Sequence, residues 1–523
     1  MQQRSKQQGC QSSVSGCSAA PSTRQAGHVA VPRGRRRPLQ LFPLAVVLLL
    51  AFAHASAEPA AAGTADSNHG EAAAAQHGKN ASSVSAPGRL LKQPGADYEV
   101  ASVPEAPSAV LPPEHPISKV FSCLGKVDGP IIPANYTAYE DKEQVARLLP
   151  LKLWQSTKQP PQKALTIFTT LTKDRLDMLD AQCTSWPGPL AAVVYVPVLE
   201  KAQSVERPGE FTEDRLEEVR AAQAAVQAVF NRAEAVNSSC MLTLLLSYEY
   251  VQPDMVKQLP VNSMRNHALL LAQTPLVSLL DVDLMASNTM AQALTDPQQV
   301  QELQDIIKGQ QRFVVLPAFE PMPIKERFVE NMSGAAMSVV LRQQQKVAAF
   351  AAANEKATLQ GLMNAGLLQP FDKGASPFGH KETDFNRWLT CKEQRCPSYE
   401  IKPESERFEP WGVLDRHQAL RNAPYDEVYR GYGKNKISNI WWLREQGFKL
   451  FVHGTAFIVH RAHATSNAKF AWRKELRERM PINTQKFDRA MEAMKEKRYA
   501  PKLHASTAAC IQQELLRISR REQ

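Results

Sequence analysis

Short uncharged runs alternate with longer amphipathic stretches from residue 164 onwards. Short apolar runs bounded by turn residues are typical of buried strands, and they occur at 164–170, 190–198, 241–248, 276–280, 311–318 and 456–459. Helical periodicity or a high Ala content predicts helices over 175–186, 212–235, 262–273 and 343–367. Thr172 or Asp174 is suited to cap the first of these helices. This alternation predicts an α/β fold with a mainly parallel sheet covered on both faces.

The run at 276–280 ends abruptly at Asp281 and Asp283, and the chain is interpreted around this point. Residues at the carboxyl end of a parallel strand lie at the mouth of an open α/β sheet, where ligands bind. Where the chain turns out of the strand, both carboxylates can reach one divalent cation, directly or through water. Such a cation can stabilise a departing diphosphate. In isolation the motif is weak, because acidic pairs at strand ends also cap helices or lie in solvated loops.

The chain is long enough for one large core or two ordinary ones, with 523 residues of which 43% are hydrophobic. A formal net charge of +10 suggests a nucleic-acid partner, but the positive charge lies at the chain ends. The first 37 residues contain seven Lys or Arg and no acidic residue, and the tail from Arg473 is also basic. A basic terminus beside an apolar run is a feature of membrane topology, so we expect no nucleic-acid partner.

The apolar segment 38–57 has three interpretations. Its short uncharged core and its small-residue ending fit a cleaved signal peptide. Its length and the long basic leader fit a signal anchor that holds the amino terminus in the cytosol, which is the preferred interpretation. The Ser- and Arg-rich leader also fits an organelle transit peptide. The predicted organisation is a cytosolic leader (1–37), this anchor or signal peptide (38–57), a disordered stalk (58–116), one catalytic domain (117–470) and a basic helical tail, peripheral to the fold or on the membrane surface (471–523).

Sequons and cysteines agree with a location in the secretory lumen. The glycosylation sequons begin at Asn80, Asn135, Asn237 and Asn331. Six of the eight cysteines follow the apolar segment, and this even number permits disulfides in an oxidising compartment. Among them, Cys391 and Cys396 are spaced to close a small loop.

Two late histidines and a polar helical stretch supply further candidates. His460 and His463 follow the strand predicted at 456–459, and His460 can complete the coordination of a cation through an imidazole nitrogen. Arg265 and Asn266 precede the acidic pair, and Arg can bind phosphate or base edges. Each has a plainer interpretation. The histidines, His463 more than His460, also fit buried residues bonded to backbone, and Arg265 and Asn266 fit a helix cap and a surface ion pair.

Several segments between residues 170 and 463 together resemble glycosyltransferase family 49. They are TLTKDRLDMLDAQCTSWPGPL (170–190), LPVNSMRNHALLLAQTPLVSLLDVDLMAS (259–287), VLPAFE (315–320), GHKETDFNRW (379–388), FEPWGVL (408–414), YDEVYRGYGKNKISNIWWLREQGFKLFV (425–452) and AFIVHRAH (456–463). The resemblance implies a GT-A fold, an inverting transferase that requires Mn²⁺ (or Mg²⁺), type II topology in the Golgi membrane, and a UDP-sugar donor, which is UDP-glucuronate in characterised members. It also implies that Asp281 and Asp283 form the metal motif and that His460 is the family's late histidine.

An inverting reaction needs a base that accepts the proton of the attacking acceptor hydroxyl. Glu409 and Asp426 are the candidates, because both lie in the block expected to form the acceptor side, although carboxylates in loops are usually only solvated. Gly431 and Gly433 would let the backbone approach the sugar closely. The plainer interpretation of this glycine pair is a tight turn before a helix.

The predicted function is transfer of a sugar, glucuronate in the first instance, from a UDP-sugar to a glycan acceptor. The predicted metal ligands are Asp281, Asp283 and His460. The predicted donor-binding residues are Thr169, Thr170, Asn262, Arg265, Asn266, Asp281, Gly431, Gly433, Asn435 and Lys436. Two alternatives remain: the same machinery with UDP-GlcNAc, UDP-xylose or UDP-galactose, and a catalytically silent glycan-binding protein. The presence of all three predicted metal ligands argues against the silent protein, which would be free to lose them.

Overall fold

The strands form one large and one small sheet within the part of the chain that the structure describes. The computed structural model describes residues 108–141, 144–159, 164–201, 204–308, 311–323, 332–374, 376–391, 396–464, 467–478 and 480–522. All of them belong to one unit, Leu90–Gln523. The predicted leader, the apolar segment and most of the stalk lie outside the described residues. Within those residues, no helix has the length and apolar character needed to cross a membrane.

The strands, in chain order, are β1 Leu149–Gln155, β2 Leu165–Thr172, β3 Pro189–Leu199, β4 Met241–Val251, β5 Leu276–Leu279, β6 Leu284–Ala286, β7 Arg312–Leu316, β8 Ala318–Pro321, β9 Leu368–Pro370, β10 Tyr399–Ile401, β11 Trp411–Asp415, β12 Lys449–Val452 and β13 Ile458–His460. The large sheet has the order β1-β4-β3-β2-β5-β11-β7-β12-β10, and the small sheet has the order β6-β13-β8-β9.

The described helices, in chain order, are α1 Pro116–Leu124, α2 Tyr136–Asp141, α3 Leu176–Ser185, α4 Glu213–Ala235, α5 Val261–Leu271, α6 Asn288–Thr295, α7 Pro297–Lys308, α8 Gly334–Ala353, α9 Lys356–Asn364, α10 Phe385–Thr390, α11 Arg416–Asn422, α12 Asn435–Glu445, α13 Asn467–Glu478, α14 Ile482–Lys495 and α15 Ala505–Glu522.

Four adjacent strands, β4-β3-β2-β5, run parallel and form the centre of the large sheet. β7 and β12 are also parallel, and the remaining neighbours in this sheet pair antiparallel. The parallel strands are apolar along their length because helices cover both faces: α4 contributes to the core on one face and α5 to the core on the other. The predicted α/β class is therefore confirmed, and the predicted parallel strands form the centre of a sheet that also contains antiparallel pairs.

Several predicted boundaries differ from the observed ones. The strand predicted at 311–318 is two strands in different sheets, because Pro317 lies between β7 and β8 and has no N–H for a ladder bond. The helix predicted at 343–367 is two helices, α8 and α9, separated by extended backbone at Asn354 and Glu355. Neither predicted cap holds α3: Thr172 instead donates a hydrogen bond to Asp174.

Both ends of the folded region extend beyond the predicted domain limits. The Ala109 N–H donates to the Gln155 carbonyl (2.9 Å), so folded sequence begins before residue 117. The carboxyl-terminal tail is part of the fold rather than a peripheral helix, because the disulfide Cys123–Cys510 joins α15 to α1. The predicted Cys391–Cys396 disulfide is confirmed. With the third bond, Cys183–Cys240, all six cysteines that follow the apolar segment are paired.

Candidate active site

The acidic motif lies where the large sheet passes into the small one. Beyond β5 the chain runs through Asp281 and Asp283 into β6, and β6 pairs antiparallel with β13 so that Leu284 faces His460. The Arg461 N–H donates to the Asp283 carbonyl at 2.7 Å. Gln182 Nε2 donates to the carbonyls of Asp281 (3.1 Å) and Leu284 (3.0 Å). The strand register and these bonds fix the motif against the histidine segment, although the two lie far apart in sequence.

Asp283, His460 and His463 converge with their potential ligand atoms within 4.8 Å of one another. His463 Nε2 lies 2.8 Å and His460 Nε2 3.7 Å from Asp283 Oδ2. Burial alone would raise the pKa of Asp283, but the two neighbouring imidazoles hold it well below its usual value. The carboxylate is therefore ionised, as a metal ligand must be.

The hydrogen bonding of His463 fits a cation at this position. Its Nδ1 lies 2.7 Å from the carbonyl oxygen of Ala464, which can only accept, so Nδ1 carries the proton. A neutral His463 then presents an unprotonated Nε2 to the Asp283 carboxylate, and two lone pairs 2.8 Å apart repel unless a proton or a cation lies between them. Two imidazole nitrogens and one carboxylate form a donor set that suits divalent transition-metal cations better than Mg²⁺.

Asp281, a predicted ligand, has different partners. Its carboxylate accepts hydrogen bonds from Arg265 Nη2 (3.2 Å) and Trp411 Nε1 (3.0 Å), and Lys436 Nζ lies 3.6 Å away. Lys436 also lies over the Trp411 ring, 3.4 Å from its centroid. The cluster of possible ligands among the described residues thus contains His463 but not Asp281. Instead, the positively charged side chains of Arg265 and Lys436 flank Asp281, beside the Asp283 cluster.

Three of the predicted donor-binding residues, Thr169, Thr170 and Asn262, lie near the acidic motif or bond to a residue that contacts it. Phe168 pairs with Leu279, so Thr169 and Thr170 lie beside the segment that leads to Asp281. Thr169 is fully buried, and its hydroxyl has no hydrogen-bond partner among the described residues. Asn262 is also fully buried and accepts a hydrogen bond from Arg265 Nη1 (3.0 Å).

Asn266 serves the fold rather than the cleft. Its amide donates to the Tyr425 carbonyl (2.8 Å) and to Glu427 (2.9 Å) and accepts from the Tyr425 N–H (2.8 Å). Both polar atoms of its side chain are thus hydrogen-bonded inside the protein, which favours a supporting role over the predicted contact with the donor. It ties α5 to the segment that leads towards Gly431.

The segment 431–436 closes over Asp281. Gly431 and Gly433 both have left-handed backbone (φ of 67° and 90°), which explains the choice of glycine. Asn435 Oδ1 accepts from Arg265 Nη1 (2.8 Å), and its Nδ2 donates to the Gly431 carbonyl (3.2 Å). The plainer interpretation, a tight turn before a helix, is therefore correct for the backbone. The same turn also presents Asn435 and Lys436 to the acidic motif.

The two candidate bases have different surroundings. The half-buried Glu409 carboxylate has no hydrogen-bond partner among the described residues. Burial raises its pKa, and Asp281 and Asp372 raise it further, against the opposing charge of Lys436. The buried Asp426 carboxylate is occupied, because it accepts from Tyr499 Oη (2.7 Å) and from two backbone N–H groups. We therefore correct the assignment of Asp426 and retain Glu409.

Glu427, next to Asp426, accepts hydrogen bonds from Asn266 and from the His504 N–H. Its burial should make the stability of the protein depend on pH. It is fully buried, and burial raises its pKa to about 7. The neutral acid is thus favoured in the folded state, so its contribution to stability should fall as pH rises from about 4.5 to about 7, by up to about 3 kcal/mol. We expect Glu427→Gln to lose this decline. Urea unfolding of both proteins at pH 5 and pH 8 measures the difference, and an equal decline in the variant would contradict the assignment.

Comparison with known proteins identifies the family. The model of the family described as "Glycosyl-transferase for dystroglycan", glycosyltransferase family 49, matches residues 164–498. The chain belongs to glycosyltransferase family 49. Its relatives include the xylosyl- and glucuronyltransferase LARGE2 of Mus musculus, 29% identical over 311 residues, and that of Homo sapiens, 27% identical over 305 residues. LARGE1 of Mus musculus is 24% identical over 303 residues.

These alignments cover 59%, 58% and 58% of this chain but only 36%, 33% and 32% of the respective relatives. The chain thus spans about a third of the length of the relatives that it matches. For this family 49 protein, the predicted family, the GT-A type of fold and the class of glycosyltransferase are confirmed.

Sequence reasoning missed several residues of the family 49 site. The sequence favours the plainer interpretation for His463, because its place beside Asp283 depends on the pairing of β6 with β13. Trp411, two residues after Glu409, binds Asp281 through an indole N–H that no local pattern reveals. Asp372 reaches the site from a different loop, and burial raises its pKa against the opposing charges of Lys469 and His460.

Proposed function

We propose that this family 49 protein transfers a sugar from a UDP-sugar to a glycan acceptor, with metal assistance and inversion at the anomeric carbon. One observation carries the proposal: the Asp283 carboxylate and two imidazoles converge at the mouth of the sheet. Beside them lie the positively charged side chains of Arg265 and Lys436. A donor diphosphate needs cations, and the acceptor hydroxyl needs a base. Because the relatives are xylosyl- and glucuronyltransferases, UDP-glucuronate and UDP-xylose are the first donors to test.

Asp283, His460 and His463 would hold the cation, proposed to be Mn²⁺. When bound, it supplies charge that stabilises the diphosphate as the bond to the sugar breaks. Asp283 contributes the anionic oxygen, and the Arg461 N–H holds its backbone in place. In this proposal Asp281 does not share the cation directly; it orients Arg265 and Lys436.

Arg265 and Lys436 would bind the diphosphate. Both side chains are almost fully buried and lie on either side of Asp281, and burial lowers the pKa of Lys436 while the carboxylates oppose this effect. Charge-assisted hydrogen bonds in such a partly desolvated place are stronger than in water. The unpartnered Thr169 hydroxyl, beside the end of β5, is suited to a polar group of the uridine.

Glu409 would accept the proton from the acceptor hydroxyl. Its carboxylate makes no hydrogen bond within the described residues, and it lies close enough to Lys436 and Asp281 for their charges to affect its pKa. A raised pKa brings a carboxylate closer to the range in which it exchanges protons efficiently near neutrality. Inversion follows because a single displacement needs one base and no covalent intermediate.

The proposal includes a position in the Golgi lumen behind the predicted amino-terminal anchor. The pairing of all six cysteines beyond residue 57 supports an oxidising compartment. The sequons at Asn135 and Asn237 lie in the described residues, whereas Asn80 and Asn331 lie outside them. Asn237 is exposed and therefore accessible to a glycan.

A donor panel tests the function. Purified residues 90–523 would be incubated with UDP-glucuronate, UDP-xylose, UDP-GlcNAc and UDP-galactose, each with Mn²⁺, with Mg²⁺ and with EDTA. We expect UDP release from one donor, supported best by Mn²⁺ and abolished by EDTA, and an inverted product by NMR. Release that persists in EDTA would refute metal assistance. UDP that binds without release from any donor, with or without oligosaccharide acceptors, would favour the silent glycan-binding protein.

A further inference from the structure

Two aromatic side chains at the edge of the site have no part in the donor chemistry described above. Tyr432 belongs to the turn between Gly431 and Gly433, and Trp472 belongs to α13. Their ring centroids lie 5.3 Å apart, with the ring planes inclined by 57°. Tyr432 is 41% exposed and Trp472 is partly exposed. Adjacent large rings left open to solvent commonly mark a place where a ligand binds.

The pair is held in position by the backbone beneath it. Gly433 lies under the indole: a Cβ at this position would lie 3.1 Å from Trp472 Nε1, so a larger residue would displace the ring. The buried Asn483 amide donates to the carbonyls of Tyr432 (3.1 Å) and Gly433 (3.0 Å). A surface that is already ordered loses little conformational entropy when a ligand binds.

The turn that carries Tyr432 also connects to the donor side of the site. Asn435 bonds both to the Gly431 carbonyl and to Arg265, and Arg265 pairs with Asp281. The same turn continues to Lys436, whose Nζ lies over the ring of Trp411, two residues along the chain from Glu409. The aromatic pair is therefore joined through this turn to the segment that contains the candidate base.

We propose that Tyr432 and Trp472 form a platform on which a pyranose ring of the acceptor glycan stacks. This inference rests on the proposed function. The apolar C–H face of a pyranose packs against aromatic rings, while its hydroxyls need polar partners. The Tyr432 hydroxyl and the Trp472 indole N–H have no hydrogen-bond partner among the described residues, so both are available to a sugar.

The test measures acceptor binding separately from turnover. Saturation-transfer NMR would give the Kd of methyl β-pyranosides of the gluco, galacto, manno and xylo series, in the presence of UDP and Mn²⁺. We expect Trp472→Ala to weaken the tightest of these about tenfold. Trp472→Phe, which keeps an aromatic face, should stay within about threefold of the wild type. The matched control is Phe470→Ala, which removes a ring that is 66% exposed on the same helix and should change nothing.

Calorimetry of UDP binding to the same variants separates the acceptor from the donor. Unchanged UDP affinity in Trp472→Ala, together with weaker pyranoside binding, supports the platform. Parallel loss of UDP affinity would mean that the rings stack on the nucleobase, and it would overturn the inference, as would a wild type that binds none of the pyranosides. If pyranosides bind at Trp472 but no donor yields UDP, the proposed function fails while the sugar site stands. If donors turn over but Trp472→Ala binds pyranosides like the wild type, the proposed function stands and the aromatic platform is refuted.

Discussion

Replacing Asp283 by Asn is expected to lower kcat/KM for UDP release by a factor of about 100 or more and to abolish tight Mn²⁺ binding. The substitution keeps the size of the side chain and removes the only carboxylate in the Asp283, His460 and His463 cluster. Two imidazoles alone hold a divalent cation less tightly than two imidazoles and a carboxylate do. Mn²⁺ titration followed by electron paramagnetic resonance, alongside UDP release, measures both effects.

A matched control comes from Asp177→Asn, the same chemical change at a nearby carboxylate. Asp177 is 42% exposed and pairs with Arg461 at 3.0 Å, and Arg461 is the residue whose backbone N–H holds Asp283. Exposed ion pairs of this kind contribute little to stability, so Mn²⁺ affinity and turnover should stay within about twofold of the wild type. Mn²⁺ should also raise the Tm of the wild type and of Asp177→Asn but not that of Asp283→Asn. Wild-type Mn²⁺ affinity in Asp283→Asn would refute the metal centre.

The central strands and the acidic motif could be predicted because their signals are local. The run that became β5 is short and uncharged, and Asp281 and Asp283 follow it directly, so their position at the sheet edge follows from the α/β pattern. β11 in the same sheet was missed, because Trp411–Asp415 is short and gives no clear period. Pro317 indicates an interruption of the strand predicted at 311–318. That the chain then enters the small sheet depends on the pairing of β8 with β13, which the local sequence does not show.

The division of labour within the site could not be predicted from the residues alone. Asp281 and Asp283 are identical in type and one residue apart, yet one lies between Arg265 and Lys436 and the other against two histidines. This difference arises from long-range pairing, β6 with β13 and α5 with the turn at residue 431. Likewise, nothing in the local sequence shows that the Asp426 carboxylate accepts a hydrogen bond from Tyr499, because Tyr499 lies 73 residues away.

Replacing Glu409 by Gln is expected to lower kcat for transfer by a factor of about 10² to 10⁴, which is the usual contribution of a general base. The KM for donor should change little, because Glu409 makes no hydrogen bond to Arg265 or Lys436, the residues proposed to bind the diphosphate. Mn²⁺ affinity should also be unchanged. Steady-state kinetics with saturating donor and varied acceptor, together with Mn²⁺ titration, separates loss of the base from loss of binding.

Asp426→Asn is the matched control, because Asp426 is the other carboxylate that sequence indicates for this role. Its carboxylate accepts hydrogen bonds from Tyr499 and from the N–H groups of Val428 and Lys502, so the change should lower the free energy of unfolding by about 1–3 kcal/mol. The kcat of the folded fraction should remain close to that of the wild type. The assignment of Glu409 fails if Glu409→Gln is fully active while Asp426→Asn is folded but inactive. The base would then be Asp426.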